Sequence, residues 1–316
     1  MSLPVSKQKA LYEWKLYFFI IPSLLLVAVF AYWPTLSAIY HSFFRWGGGD
    51  NKEFIGLANF SRALEDGVFW GAFLTIAILV VANLFKMIPS IAMAVLIHRL
   101  RSERWQYWYR VLVVLPMIVP SLVTLFIWKF FFNPNMGALN SFLDLTGLKS
   151  LLIAADKAFG WGGVFLDGIP TAWLGEPALV IPALIIWGFP WLGAVGVLIF
   201  LAGLQSIGTE VYEAADLDGV TPFQKFLHIE FPLIMTQVRL MVVLMMIGTL
   251  QGYGLQFLLL GEDGGPGGRG MVPGLWMFNR AFFAGEFGYA CALGLFLFAF
   301  ILVLTMINNK FIRVEK

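Results

Sequence analysis

Charged side chains are scarce in this sequence: Asp, Glu, Lys and Arg make up 13% of its 316 residues, about half of what a soluble domain carries. With 59% hydrophobic residues, 16% aromatic residues and a mean hydropathy of +0.81, too little polar surface remains to coat a globule of this size. An ordinary soluble domain is excluded. Cysteine is nearly absent. The lone Cys291 sits inside "GYACALGLFLFAF", so no internal disulfide can form, and neither CxxC nor Cys/His zinc spacing occurs. The three histidines, His41, His98 and His228, lie in three separate regions without an HExxH arrangement, which argues against a metal or proteolytic site. A strong net charge is lacking too: the formal value is +2, which gives no reason to expect a nucleic-acid partner. The glycine-rich "GEDGGPGGRG" lacks GK[ST] and follows no strand, so it does not read as a phosphate cradle. No internal repeat is visible.

What the sequence has instead is long apolar runs. A bilayer core of ~30 Å takes about 20 helical residues to cross. Six stretches reach that length, near 16–44, 69–97, 111–132, 178–204, 236–260 and 286–308. The first follows a basic N-terminus, "MSLPVSKQKALYEWK", with no small-x-small cleavage site before Trp33-Pro34, so an uncleaved first span is expected rather than a signal peptide. With the N-terminus inside, twelve basic residues fall on the inner side and eight on the outer, and "HRLRSERWQYWYR" places four arginines against one glutamate in a single inner loop. Six spans with both termini cytoplasmic are the consistent topology: an all-α polytopic membrane protein.

That topology puts the stretch from Tyr212 to Pro232, "YEAADLDGVTPFQKFLHIEFP", on the cytoplasmic side, where it breaks the positive trend. Its local chemistry predicts two short helices. Thr209 is expected as the first N-cap, with Glu210 and Glu213 near the positive end of the dipole. Gly219 fits a C′ position. Thr221 then caps a second helix, with Pro222 at its first position and Gln224 completing a capping box. Pro232 is expected to break that helix. A solvated linker needs neither Ala214–Ala215 nor the apolar Val211, Leu217, Val220, Phe223, Phe226 and Leu227, so the loop reads as a docking surface.

Here the sequence resembles a known family. "EAADLDGVTPFQKFLHIEFPLI" is similar to the EAA loop of the permease subunits of bacterial ABC importers, with Glu213, Ala214, Ala215, Gly219, Ile229 and Pro232 in register. The context "IFLAGLQSIGTEVYEAADLDG" is similar to the carbohydrate-uptake branch, in its maltose- and glycerol-phosphate-type first-permease subgroup. Two positions depart from the subgroup, Gly208 for a usual proline and Val220 for an alanine. The resemblance continues in "FIGLANF" at 54–60, in "VLPMIVPSLVTLFIWKFFFNPNMGALN" at 114–140, and in "GEDGGP" at 261–266 with "MFNRAFFAGEFGYACALG" at 277–294. It implies the type I importer permease fold, with the permease domain over about 69–310. The segments between spans are then a cytoplasmic N-terminus at 1–15, an external loop at 133–177, a cytoplasmic coupling loop at 205–235 and a cytoplasmic tail at 309–316. It further implies that Glu213, Ala214, Ala215, Gly219, Phe223 and Phe226 meet an ATPase, that two ATP-binding subunits, a second homologous permease and an extracytoplasmic solute-binding protein are partners, and that the chain itself takes no cofactor and has no catalytic site. Localisation in a bacterial inner membrane follows.

Within the spans, Lys86 is either a cavity-lining donor to substrate or a structural contact to carbonyls freed by Pro89. Thr249, Gln251, Tyr253 and Gln256 suit a sugar, whose hydroxyls take hydrogen bonds and whose C–H faces stack on aromatics, yet they would equally serve as polar glue between helices. Trp187 and Trp191, in "WGFPWLG", form a kinked aromatic wall in the fourth span. Residues 141–177 are an external insertion, serving either as a contact for the binding protein or as an inert cap. An ion-coupled secondary transporter is the alternative function; it would need paired repeats and intramembrane carboxylates, which the spans lack.

Overall fold

The computed structural model describes residues 17–311, with side chains through Asn308. The expected cytoplasmic N-terminus at 1–15 and the last residues of the tail lie outside that range. Among the described residues three helices are long and apolar enough to cross a bilayer: α1, Tyr17–His41; α3, Gly67–His98; and α15, Phe287–Phe311, of which Phe287–Asn308 forms the span. The chain divides into two compact units, 1–66 with 277–296, and 67–276 with 297–316.

The first unit opens with α1, which carries Phe18, Phe19, Phe30 and Trp33 exposed along its length. A helix that is apolar all round belongs in lipid or against another chain. A hairpin follows, β1 at Phe44–Trp46 and β2 at Lys52–Phe54, pairing Phe44 with Phe54 and Arg45 with Glu53. It is the one piece of sheet among the described residues and had no signature in the apolar pattern. Next comes α2, Ala58–Glu65. Its buried Asn59 donates to the carbonyls of Ser42 and Phe44 at 2.8 and 2.9 Å. Arg62 grips Glu286 through two bonds of 2.9 Å and lies 3.9 Å over the Tyr289 ring, whose hydroxyl donates to Asp66.

The second unit is organised on α3. This helix runs unbroken through Pro89 and packs most extensively against α9, Ala194–Gln205. Ile91, Ala94, Val95 and Ile97 meet Val197, Phe200, Leu201, Leu204 and Ile234 in one apolar cluster. The region expected as a third span is a bent pair: α4, Glu103–Val114, a 3-10 turn at Leu115–Ile118, then α5, Ser121–Phe131, turned by 86°. Helix therefore begins inside the arginine-rich segment expected as loop, and Pro116 and Pro120 mark the elbow.

The regions expected as continuous fourth and fifth spans are each two helices. α8, Val180–Ile186, is separated from α9 by "WGFPWLG", where Gly188 has φ +83° and Trp191 φ +59°. α12, Met235–Gln251, is separated from α13, Gly254–Leu260, by an extended Gly252 and by Tyr253 at φ −139°. The insertion folds as α6, Ala138–Thr146, and α7, Leu148–Phe159, turned by 88° at Gly147. Phe132, Leu143, Phe165 and Trp173 form its own core. Asn140 ties that core together, donating to Pro134 O and Thr171 O and accepting from Trp173 Nε1 at 2.8 Å. Asp156 accepts the N–H groups of Phe165 at 2.7 Å and Gly163 at 3.1 Å. α14, Pro273–Phe282, precedes α15.

Candidate functional site

Two regions of the second unit concentrate chemistry. One lies where the broken helices meet α3. Interrupting a helix at membrane depth frees backbone groups that lipid cannot satisfy. Here α3 satisfies them. Lys86 Nζ donates to Leu184 O at 3.2 Å and Trp187 O at 3.4 Å, and Ser90 Oγ accepts Gly193 N–H at 3.0 Å while donating to Trp191 O at 3.3 Å. Asn83 Nδ2 donates to Thr249 Oγ1 at 3.0 Å beside the second break. Positions 83, 86 and 90 fall at i, i+3 and i+7 and so share one face.

Between these breaks lies a cavity of about 280 Å³. Lys86, Trp187, Thr249, Tyr253 and Gln256 line it, joined by Asn83. Trp187 Nε1 is buried without a hydrogen-bond partner, and Gln256 is buried as well. The two readings of Lys86 are thus both realised in position: it lines the cavity and also bonds carbonyls. Those carbonyls belong to the end of α8, not to the turn preceding Pro89. Gln251 and Trp191 do not line the cavity. Gln251 is exposed at the end of α12, and Trp191 Nε1 instead donates to Ile185 O at 3.1 Å.

The other region is the loop. α10, Thr209–Leu217, begins one residue earlier than the expected cap implies: Gly208 is the N-cap, in extended conformation, and Thr209 is already helical. Gly208 carries no side chain to accept a bond, so Glu210 in the first turn provides the favourable charge. Gly219, at φ +70°, ends the helix in a Schellman arrangement, with Val220 N–H to Ala215 O at 3.1 Å and Gly219 N–H to Asp216 O at 3.2 Å. α11, Pro222–Leu233, starts on the Thr221–Gln224 capping box. Pro232 does not break it. A π turn at Phe226–Glu230 relieves the clash of the proline ring with the preceding turn, and the 68° bend comes later, at Ile234.

Of the loop residues, Glu213, Ala214, Gly219 and Phe223 are exposed, and Leu217 is the most exposed large apolar side chain of the loop at 90%. Ala215 and Phe226 turn inward. Ala215 is 4% exposed, and Phe226 packs against the apolar cluster of α3 and α9. Tethers that the sequence did not reveal hold the loop in place. Arg99 Nη2 donates to Pro222 O at 2.8 Å and to Glu230 Oε2 at 2.7 Å; Glu230 is fully buried. His98 Nε2 lies 3.1 Å from the Tyr212 hydroxyl, and Lys225 pairs with Asp216 at 2.6 Å. Burial, reinforced by the Glu230 carboxylate, pushes the Tyr212 hydroxyl up to about 12. The signals available in sequence were the basic Arg99 at a helix end and an acidic residue in a segment otherwise fit for burial.

Comparisons with known proteins agree with this geometry. The chain is 28% identical to the probable ABC transporter permease protein YurN of Bacillus subtilis, over 95% of this chain and 96% of that one. It is 29% identical to the diacetylchitobiose uptake system permease protein NgcF of Streptomyces coelicolor, over 89% and 77%. Its fold is similar to a chain of the crystal structure of a bacterial alginate ABC transporter in complex with an alginate pentasaccharide-bound periplasmic protein, with a TM-score of 0.77 at 20% identity, covering 97% of this chain and 96% of that one. Such permeases are transport subunits and not enzymes, which also sets aside an ion-coupled secondary transporter. Residues 87–313, holding both breaks, the loop and the cavity lining from Leu184 onward, match the binding-protein-dependent transport system inner membrane component, and the chain belongs to that family of ABC importer permeases.

Proposed function

We propose that this permease carries a saccharide through the cavity between the broken helices, and that the α10–α11 loop receives the ATP-hydrolysing subunits that drive it. The observation that carries the reading is the cavity itself. Discontinuous helices whose freed backbone lines a cavity are how membrane transporters build solute sites near the midplane. This cavity offers an aromatic wall in Trp187 and Tyr253, and amide, hydroxyl and indole groups in Asn83, Gln256, Thr249 and Trp187. That is the chemistry of sugar recognition, and relatives named for diacetylchitobiose and alginate support the class.

The working assembly contains a second homologous permease, two ATP-binding subunits and an extracytoplasmic binding protein, in an inner membrane with both termini of this chain cytoplasmic. ATP is bound by the partner subunits, and this chain takes no cofactor. Glu213, Ala214, Gly219 and Phe223 form the face turned to the ATPase, while Ala215 and Phe226 seat the loop on the chain. The co-purified complex in liposomes should take up a member of a labelled di- and trisaccharide panel only with ATP on the ATPase side and binding protein on the other. Trp187→Ala and Tyr253→Ala should each cut uptake about tenfold at equal abundance. Uptake that needs no ATP would sink the reading, and uptake indifferent to both substitutions would remove the cavity from the pathway.

A further inference from the structure

Arg99 follows directly on the last residue of α3, and its guanidinium bridges both ends of the loop's second helix. One nitrogen donates to Pro222 O near the start of α11 and to Glu230 Oε2 eight residues on, at 2.8 and 2.7 Å. Glu230 is fully buried, and its Oε1 has no partner. Among the described residues Arg99 supplies its only ion pair. A buried carboxylate stripped of its cation is strongly unfavourable, so a moving loop cannot slide off Arg99 and must carry it along. Arg99 in turn prolongs the helix that bears Ser90, Lys86 and Asn83. At 1.5 Å per residue, these lie roughly 14, 20 and 24 Å up that helix, and all three hold the backbone or side chains of the two breaks beside the cavity.

We propose that the Arg99–Glu230 ion pair is a positioning link that transmits displacement of the coupling loop, through α3 as a rigid rod, to the anchors of the cavity. This rests on the reading of the loop as the ATPase contact. Apolar packing between α3 and α9 could hold the same elements together, so the two contributions must be separated by charge. The ion pair predicts that removing either charge decouples the cavity from the nucleotide cycle while ATP hydrolysis continues.

The test uses the intact complex with Cys291→Ser and a reporter thiol, Gly248→Cys, at a cavity-lining position with open space for a side chain. Its reaction with the cationic thiosulfonate MTSET, which forms a mixed disulfide and releases methanesulfinate, is timed without nucleotide and after trapping with ATP and vanadate. With the pair intact the rate should change at least fivefold. In Arg99→Gln or Glu230→Gln the change should fall below twofold, with ATP hydrolysis retained, and the exchanged pair Arg99→Glu with Glu230→Arg should restore it. Arg99→Lys, which keeps the charge but loses the planar fork, should give an intermediate change. A full response in both single-charge variants overturns the link, as does an assembled exchange variant that fails to recover while Arg99→Lys behaves like Arg99→Gln. Gly219→Pro separates the two claims. If it abolishes the response while the single-charge variants keep it, the ion pair falls and the coupling loop stands. If it too leaves the response intact, the coupling-loop reading falls as well.

Discussion

Ser90 of α3 and Gly193 meet at the break between α8 and α9, the serine Oγ accepting the glycine N–H at 3.0 Å. The same hydroxyl donates to Trp191 O, so a single side chain holds the C-terminal end of a turn in which Trp191 has a strained, left-handed backbone. Ser90→Ala should remove both bonds, at about 0.5–1.5 kcal/mol each, and leave the Gly193 N–H only its 3.2 Å bond to Trp191 O. The detergent-purified complex should then melt several degrees lower. An unchanged melting temperature would show that the turn holds itself.

Lys86 contributes differently, because it serves two carbonyls and the cavity at once. Lys86→Met keeps the aliphatic stem and removes every donor. Import should fall about tenfold or more with membrane abundance unchanged on immunoblot. Lys86→Arg should retain a substantial part of the rate, and equal rates in both variants would count against a polar role.

Gly219 stands at φ +70°, with open space around the position of a side chain. Strain, not collision, is therefore what a substitution meets. Gly219→Ala should cost the loop about 1–2 kcal/mol, whereas Gly219→Asn should be milder because asparagine tolerates this conformation. Solute imported per ATP hydrolysed should rank glycine, asparagine, alanine. The reverse order of the two variants would refute the strain argument.

The insertion at 141–177 should be acid-sensitive through Asp156. The Phe165 N–H, with those of Gly163 and Val164 assisting against desolvation, holds its carboxyl below the usual carboxylate range. A depressed folded value means that the stabilisation is present above the unfolded value of about 3.9 and is lost as pH falls from there through the folded value. Amide exchange at Gly163 and Phe165, corrected for intrinsic rates, should accelerate between about pH 4 and pH 3. Asp156→Asn should show that looseness already at pH 6, with little further dependence. Identical pH profiles in the two proteins would disprove the mechanism.

The apolar runs and the loop motif were legible because they depend on local composition. Three of the six long hydrophobic stretches contain helices long and apolar enough to cross a bilayer, and Thr221, Pro222 and Gln224 dictate a capping box that the structure forms. What escaped depends on contacts distant in the chain. Arg99 and Glu230 are 131 residues apart, and nothing in either neighbourhood names the other. Ala215 and Phe226 were read as outward because the motif is a docking motif, yet a two-helix loop must also seat itself, and small or aromatic residues serve that end equally well. The break between α8 and α9 was hinted at by the kinked "WGFPWLG", but that both breaks meet one face of α3 needs three dimensions.

The polar face of α3 also bears on how the protein is made. Asn83, Lys86 and Ser90 find their partners at residues 184–193 and 249, far downstream, so a chain synthesised from its N-terminus places this helix in the membrane while those partners do not yet exist. A mid-helix lysine costs about 3 kcal/mol on insertion scales, while each Leu, Ile, Phe or Val returns about 0.3–0.6, so roughly five to ten such residues offset it. The helix has sixteen. Its greasiness is thus what lets an unfinished polar seam wait in lipid, and trimming apolar residues from its lipid face would endanger biogenesis before it touched transport.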